Sequence, residues 1–151
     1  MTDPAPFGTG GLTTTRIFAA PRERVWREWT EPERFADWFG GPDGEVPPST
    51  VSMDVRVGGL WKATMYYGPD RRVSHWDGEY REVEPPARLV LTVSDQPGSG
   101  LYGLLIVELT DLDGDRTEMH FQQLGPLARE HWEAARSGWG IFFDRMAERL
   151  A

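Results

Sequence analysis

A series of turn sequences between residues 50 and 125, followed by one long amphipathic segment, constrains the fold most strongly. The turn sequences VGG, YGPD, EPPA, QPGSG and LDGD are rich in glycine, proline and aspartate, which favour chain reversal. They separate stretches rich in β-branched and aromatic residues, which are typical of strands. The predicted strands span about 50–57, 60–67, 72–83, 88–95, 102–111 and 116–124. The stretch DLDGDRT predicts the clearest hairpin, with Asp113-Gly114 at its turn.

The segment before these strands predicts one further strand and two short helices. LTTTRIFAA, at 12–20, has the alternation and β-branched residues of a strand. RERVWREW follows Pro21 and places its apolar residues three to four positions apart, as a helix requires. Pro32 interrupts that helix, and PERFADWF then predicts a second short helix that ends at Gly40-Gly41.

Residues 128–150 predict one long helix whose apolar residues form a single broad stripe. A helix of this length spans ~33 Å, and an eight-residue strand spans ~27 Å. One such helix can therefore lie across an entire antiparallel sheet. We expect an α+β domain in which a curved seven-stranded antiparallel sheet wraps around the C-terminal helix. The space between them is either a filled core or a cavity.

Two glycines, Gly138 and Gly140, flank Trp139 inside the predicted helix. Each helix-interior glycine costs about 1 kcal/mol relative to alanine. For Gly138 we expect a compensation, because a residue without a side chain lets the helix approach the sheet closely while Trp139 projects inward.

Four separated motifs resemble one known family. They are APRERVWREWTEPERFADWFGGP, DVRVGGLWKATM, GEYREVEPPARLVLT and SGWGIFFDRMAERL. In this order they are similar to the signatures of the activator of heat-shock-protein-90 ATPase homologue family, within the START-like (SRPBCC) superfamily. The resemblance covers roughly residues 12–150 and implies the helix-grip fold. It also implies a single START-like domain at 11–151. The Gly/Pro-rich, polar composition of residues 1–10 predicts a flexible tail ahead of it.

Charge and composition narrow the classes of partner. A net charge of −8 and a pI near 4.9 argue against nucleic acid or an anionic membrane as the main partner. The chain has no cysteine and no apolar run of membrane-spanning length. Residues 1–11 have neither a basic start nor an apolar run, so we expect no signal peptide. Lys62 is the only lysine among 16 basic residues, which is typical of a GC-rich bacterial coding sequence. We expect a cytoplasmic protein without membrane insertion, either a monomer or a homodimer.

Polar candidates for chemistry are few. No two histidines have metal-ligand spacing, so we expect no metal and no cofactor. His75 lies in a strand that alternates His75, Asp77 and Glu79 on one face with Trp76 and Tyr80 on the other. Continued alternation places Glu82 on the Tyr80 face, where a buried carboxylate would need Arg56 or Arg88 as a partner. We assign no catalytic residue.

Aromatic and apolar side chains on the predicted inner faces carry the main functional hypothesis. Seven Trp, seven Phe and four Tyr supply the large rigid surfaces that line apolar pockets. The alternative is that these rings simply fill the core. The candidate ligand-binding residues are Trp38, Phe39, Trp61, Met65, His75, Trp76, Tyr80, Glu82, Met119, Phe121, Trp139, Phe142, Phe143 and Met146.

These observations, with the family resemblance, leave three functions open. The first is binding of a small apolar, aromatic or lipid-like molecule between the sheet and the last helix. The second is an enzyme of the polyketide cyclase/dehydratase type, which would need a polar group such as His75, Tyr80 and Glu82 to converge in the pocket. The third is a co-chaperone-like interaction module. The superfamily contains proteins of all three kinds, so the resemblance does not choose among them.

Overall fold

The structure is a computed structural model that describes residues 10–125 and 129–151. Most of the predicted tail at 1–10, and the predicted helix start at Ala128, lie outside the described residues. The elements in chain order are β1 (Gly10–Phe18), α1 (Arg22–Thr30), α2 (Pro32–Trp38), β2 (Gly44–Glu45), a 3-10 turn (Pro48–Thr50), β3 (Ser52–Met53), β4 (Leu60–Tyr67), β5 (Arg72–Glu84), β6 (Arg88–Val93), β7 (Gly103–Leu112), β8 (Arg116–Gly125) and α3 (Arg129–Leu150).

The strands form one antiparallel sheet in the order β1-β8-β7-β6-β5-β4-β2, and β3 also pairs with β4. Hairpins join β4 to β5, β5 to β6 and β7 to β8, at the turn sequences recognised above. The first strand crosses back to the far edge, where it pairs with β8. The predicted α+β class and the helix-grip arrangement are thus confirmed.

The prediction of a strand at 50–57 is wrong for most of that range. Only β3 pairs with β4 there, after a 3-10 turn that Pro48 starts. Beyond β3 the backbone folds on itself, since the Arg56 N–H donates to the Asp54 carbonyl and the Gly59 N–H donates to the Arg56 carbonyl, both at 2.8 Å. A Cβ on Gly59 would lie 1.9 Å from the Asp54 carbonyl oxygen, so this loop requires glycine.

The long helix α3 packs against the inner face of the sheet and against α1 and α2, as its apolar stripe predicts. Ala135 and Phe142 are half-buried at the margin of the stripe. Its buried residues are Trp132, Trp139, Phe143, Met146 and Leu150.

The expected close approach at Gly138 is wrong. A Cβ built on Gly138 or on Gly140 meets no atom within 4 Å, so neither glycine is required by contact with the sheet. The close approach occurs instead at Gly78 on β5. There a Cβ would lie 1.8 Å from the Thr92 carbonyl oxygen and 2.3 Å from Trp61 Nε1. Because Gly78 has no side chain, the Trp61 indole can cross β5 and donate to the Thr92 carbonyl at 2.9 Å.

Candidate functional site

Aromatic rings fill the interior between α1, α2, α3 and the sheet. Trp29 and Trp38 meet edge to face with centroids 4.8 Å apart, and Phe35 stacks on Phe39 at 4.6 Å. Phe121 on β8 lies 4.7 Å from Trp139 on α3. Rings at these separations are in van der Waals contact, so this part of the interior is a packed core.

Most of the predicted ligand-binding residues belong to that core. Trp76, Glu82 and Phe142 are half-buried, and His75 is exposed. The predicted residues that the structure buries are Trp38, Phe39, Trp61, Met65, Tyr80, Met119, Phe121, Trp139, Phe143 and Met146. These side chains bury their apolar surface against one another, so they need no ligand to shield it from water. Their role as a binding site therefore stays a prediction.

The expectation that Glu82 shares the inner face with Tyr80 is wrong. The β5–β6 register shifts between them, so that Tyr80 pairs with Leu91 and Glu82 pairs with Val90. Directly paired residues share a face and successive residues alternate, so the bulge turns Glu82 to the outer face. There it binds Arg88, one of its two expected partners, with 3.0 Å between Arg88 Nε and Glu82 Oε1.

His75 also lies on the outer face, away from Tyr80. It pairs with Thr64, and its Nδ1 is 3.2 Å from the Thr64 hydroxyl oxygen. The Tyr80 hydroxyl is buried inside and has no hydrogen-bond partner among the described residues. Burial raises the pKa of Tyr80 well above its ordinary value, and Asp54 adds to the rise. The structure thus does not bring His75, Glu82 and Tyr80 together in one site.

A cleft opens where β5 to β8 meet the first turns of α3, beside the packed rings. Its volume is about 280 Å³. We call it the Gln123 cleft, after the polar side chain contributed by β8. The lining residues are Trp76, Val93, Ser94, Asp95, Gln96, Leu101, Tyr102, Gly103, Gln123 and Ala135. Trp76 is the one predicted ligand-binding residue in this set.

Apolar side chains form the walls of the Gln123 cleft. Trp76 is held in place at both ends, since its Nε1 donates to Ser74 Oγ at 2.8 Å and its ring meets Phe39 edge to face at 5.5 Å. Val93 is buried in the core. Leu101, by contrast, is 58% exposed. Trp76 and Val93 thus form a rigid apolar wall, and the Leu101 side of the cleft is open to solvent.

The amide of Gln123 is held in one orientation by Trp139. The Trp139 indole N–H donates to Gln123 Oε1 at 2.7 Å. An indole nitrogen can only donate, so the atom facing it must be the amide oxygen and the NH₂ group must point away. The NH₂ nitrogen lies on the Gly103 side, 3.8 Å from where a Cβ on Gly103 would stand. None of the described residues accepts a hydrogen bond from it.

Larger depressions flank α2, but they are surface grooves with charged walls. The larger is about 760 Å³ and contains Glu31, Arg34, Asp37 and Arg149. These side chains pair with one another or with Glu28. Ligand sites are typically concave and mostly apolar with few polar groups. The smaller Gln123 cleft fits that description better.

The comparisons with known proteins support the fold. The sequence profile of the family described as "Activator of Hsp90 ATPase homolog 1-like protein" matches residues 19–151. The chain belongs to this family. Its fold is consistent with ligand-binding or co-chaperone-like roles in general. No curated protein matches the sequence.

Several solved structures share the fold of this family member. Protein CV1439 from Chromobacterium violaceum superposes with a TM-score of 0.84 at 22% identity, over 94% of this chain and 98% of that one. Protein NE0264 from Nitrosomonas europaea gives 0.80 at 26% identity, over 93% of each chain. The AHSA1 protein from Silicibacter pomeroyi gives 0.81 at 19% identity, over 93% of this chain and 97% of that one.

Of the residues that line the Gln123 cleft, the sequence predicted only Trp76 as a site residue. Gln123 follows Phe121 by two residues on β8, so strand alternation places it on the same inner face. Ala135 belongs to the predicted helix stripe. Both signals were present in the sequence. Val93 carried the same signal, since it follows Leu91 by two residues on β6, whereas Tyr102 enters the cleft only through the packing of the loop before β7.

Two further features bear on chemistry in the described ranges, 10–125 and 129–151. No group of three His, Asp or Glu side chains comes close enough there to hold a metal ion. None of the helices in these ranges is both long and apolar enough to cross a membrane.

Proposed function

We propose that this protein binds a small apolar or aromatic molecule in the Gln123 cleft. The observation that carries the proposal is an open space between sheet and α3 with an apolar wall and one polar group fixed in orientation. Binding pockets commonly combine large hydrophobic walls with a few placed polar groups. The packed rings beside the cleft then serve as its rigid support, with Trp76 linking the two through Phe39.

The size of the cleft limits its ligand. A volume of about 280 Å³ lies at the lower end of the range for small-molecule sites. A bicyclic aromatic compound is a suitable size for a probe of this space. The enzymatic alternative lacks support, since His75 and Glu82 lie on the opposite face of the sheet from Tyr80.

Filling the cleft from α3 tests the proposal. Ala135 lines the cleft and is half-buried, whereas the neighbouring Ala134 is exposed on the same helix. Ala135→Leu should abolish saturable binding of a bicyclic aromatic ketone, followed by calorimetric titration. Ala134→Leu, which adds the same side chain outside the cleft, should bind like the unmodified protein. Absence of saturable binding to the unmodified protein, or equal binding by both variants, would contradict the proposal.

A further inference from the structure

The Gln123 cleft contains a hydrogen-bond donor that no residue in the described ranges uses. Trp139 holds the amide oxygen of Gln123 against its indole, so the NH₂ group is the part of the amide that points away from Trp139, towards the Gly103 side. Rotating the amide to present its oxygen would set the NH₂ group against the indole N–H, where neither group could accept. A ligand acceptor at this point would make a hydrogen bond that the free protein lacks within its described residues.

The charges around the cleft disfavour an anionic ligand. Among the described residues that line it, Asp95 is the single one with a charged side chain. Arg81 lies over the Tyr102 ring, 5.8 Å from its centroid, but is not part of the lining and already pairs with Glu79 at 3.1 Å. A carboxylate entering the cleft would therefore lose water without gaining a free cation from the described lining residues, and it would meet Asp95 and a net charge of −8.

We infer that the Gln123 cleft selects uncharged aromatic ligands that carry one hydrogen-bond acceptor, such as an aryl ketone or aryl amide, over their carboxylate analogues. The inference rests on the proposed function and adds the chemical class of the ligand. The acceptor meets the Gln123 NH₂ group, and the ring system lies along Trp76.

Three probes of nearly equal shape separate the contribution of the hydrogen bond from that of the ligand's charge. They are methyl 2-naphthyl ketone, 2-isopropenylnaphthalene, in which CH₂ replaces the carbonyl oxygen, and 2-naphthoate. One neutral hydrogen bond should make the ketone bind about fivefold tighter than the alkene. The carboxylate should bind at least about tenfold more weakly than the ketone, because its desolvation is not compensated.

A pair of neighbouring variants assigns the effect to Gln123. Gln123→Glu keeps an acceptor for the Trp139 indole and removes the donor. At pH 8, well above the ordinary glutamate pKa of about 4.3, it should abolish the preference for ketone over alkene. Gln122→Glu makes the same change one residue earlier, where strand alternation points the side chain to the outer face. It should retain the preference.

The outcomes distinguish the two proposals. If no probe binds saturably, the cleft is no binding site and both proposals fail. If ketone and alkene bind equally while Ala135→Leu abolishes both, the binding site stands and the inference about Gln123 is overturned. Equal binding of 2-naphthoate and the ketone overturns the selection against carboxylates. Retention of the ketone preference in Gln123→Glu overturns the role of the amide donor.

Discussion

Arg149, in the last turn of α3, binds both carboxylate oxygens of Glu28 on α1. Arg149 Nε lies 2.7 Å from Glu28 Oε1, and Nη2 lies 3.1 Å from Oε2. Glu28 is only 2% exposed, and Asp37 on α2 also accepts from Arg149. The hydrogen bonds to Glu28 raise the pKa of Arg149. One guanidinium thus joins α1, α2 and α3 on the inner side of the sheet.

Removal of Arg149 should leave the buried Glu28 carboxylate with Arg34 alone, whose Nη1 is 3.9 Å from Glu28 Oε2. We expect Arg149→Ala to lower the free energy of unfolding by about 3–5 kcal/mol, as for other broken buried ion pairs. Urea denaturation measures this loss. Arg145→Ala is the matched control, since Arg145 pairs with Asp37 and Glu148 at the surface and should cost less than about 1 kcal/mol.

A second substitution identifies the cause of the Arg149 effect. Adding Glu28→Gln to Arg149→Ala removes the buried charge and should recover part of the lost stability. Equal stability of Arg149→Ala and Arg145→Ala, or no recovery in the double variant, would contradict this account of the ion pair.

The buried Tyr80 hydroxyl should make the free energy of unfolding fall at alkaline pH. Burial disfavours the phenolate and raises the pKa of Tyr80 above its ordinary value of 10.0. Above pH 10 the unfolded chain loses this proton while the folded protein keeps it. The Tyr80 contribution is therefore constant below pH 10 and falls by up to about 1.4 kcal/mol per pH unit above it.

Tyr80→Phe isolates that contribution. At pH 7 the variant should be as stable as the unmodified protein or up to about 1 kcal/mol more stable, because the hydroxyl has no partner among the described residues. Between pH 10 and 11.5 the difference should grow in favour of Phe. Urea denaturation of both proteins across this range measures it, and parallel pH profiles would contradict the argument.

Local sequence patterns predicted the longer strands and the long helix well. Alternation and turn residues defined β4 to β8, and the 3.6-residue periodicity defined α3, because both patterns follow directly from local backbone geometry. Where they failed, a feature outside the local pattern intervened. The bulge after Tyr80 reverses the face of Glu82, and simple alternation cannot reveal an inserted residue.

The candidate site was harder to predict than the fold for a related reason. An apolar stripe has the same sequence whether its side chains pack together or enclose a space. Phe121 and Gln123 lie on one face of β8, yet only Gln123 lines the cleft. That difference depends on the position of α3 and on the loop before β7, which no strand pattern encodes.

Gly138 should be a weak point of α3 that alanine can repair. Space around its Cβ position is open, and helix-interior glycine is unfavourable relative to alanine. We expect Gly138→Ala to raise the free energy of unfolding by about 0.5–1 kcal/mol. Gly78→Ala is the contrasting variant, since its Cβ would overlap the Thr92 carbonyl oxygen, and it should cost at least about 2 kcal/mol. Thermal unfolding ranks the two, and a loss of stability in Gly138→Ala would show that glycine is required there.

Trp139 should control the ligand preference through Gln123 without forming the cleft wall itself. Trp139→Phe keeps an aromatic ring against Phe121 and Phe143 but removes the N–H that holds the Gln123 oxygen. The amide is then free to rotate, so binding of the naphthyl probes should persist while the preference for ketone over alkene decreases. Calorimetric titration of both probes measures the change. The Trp76→Phe variant provides the comparison, because it alters the wall and should weaken both probes equally. An unchanged ketone preference in Trp139→Phe would mean that the indole does not orient the amide.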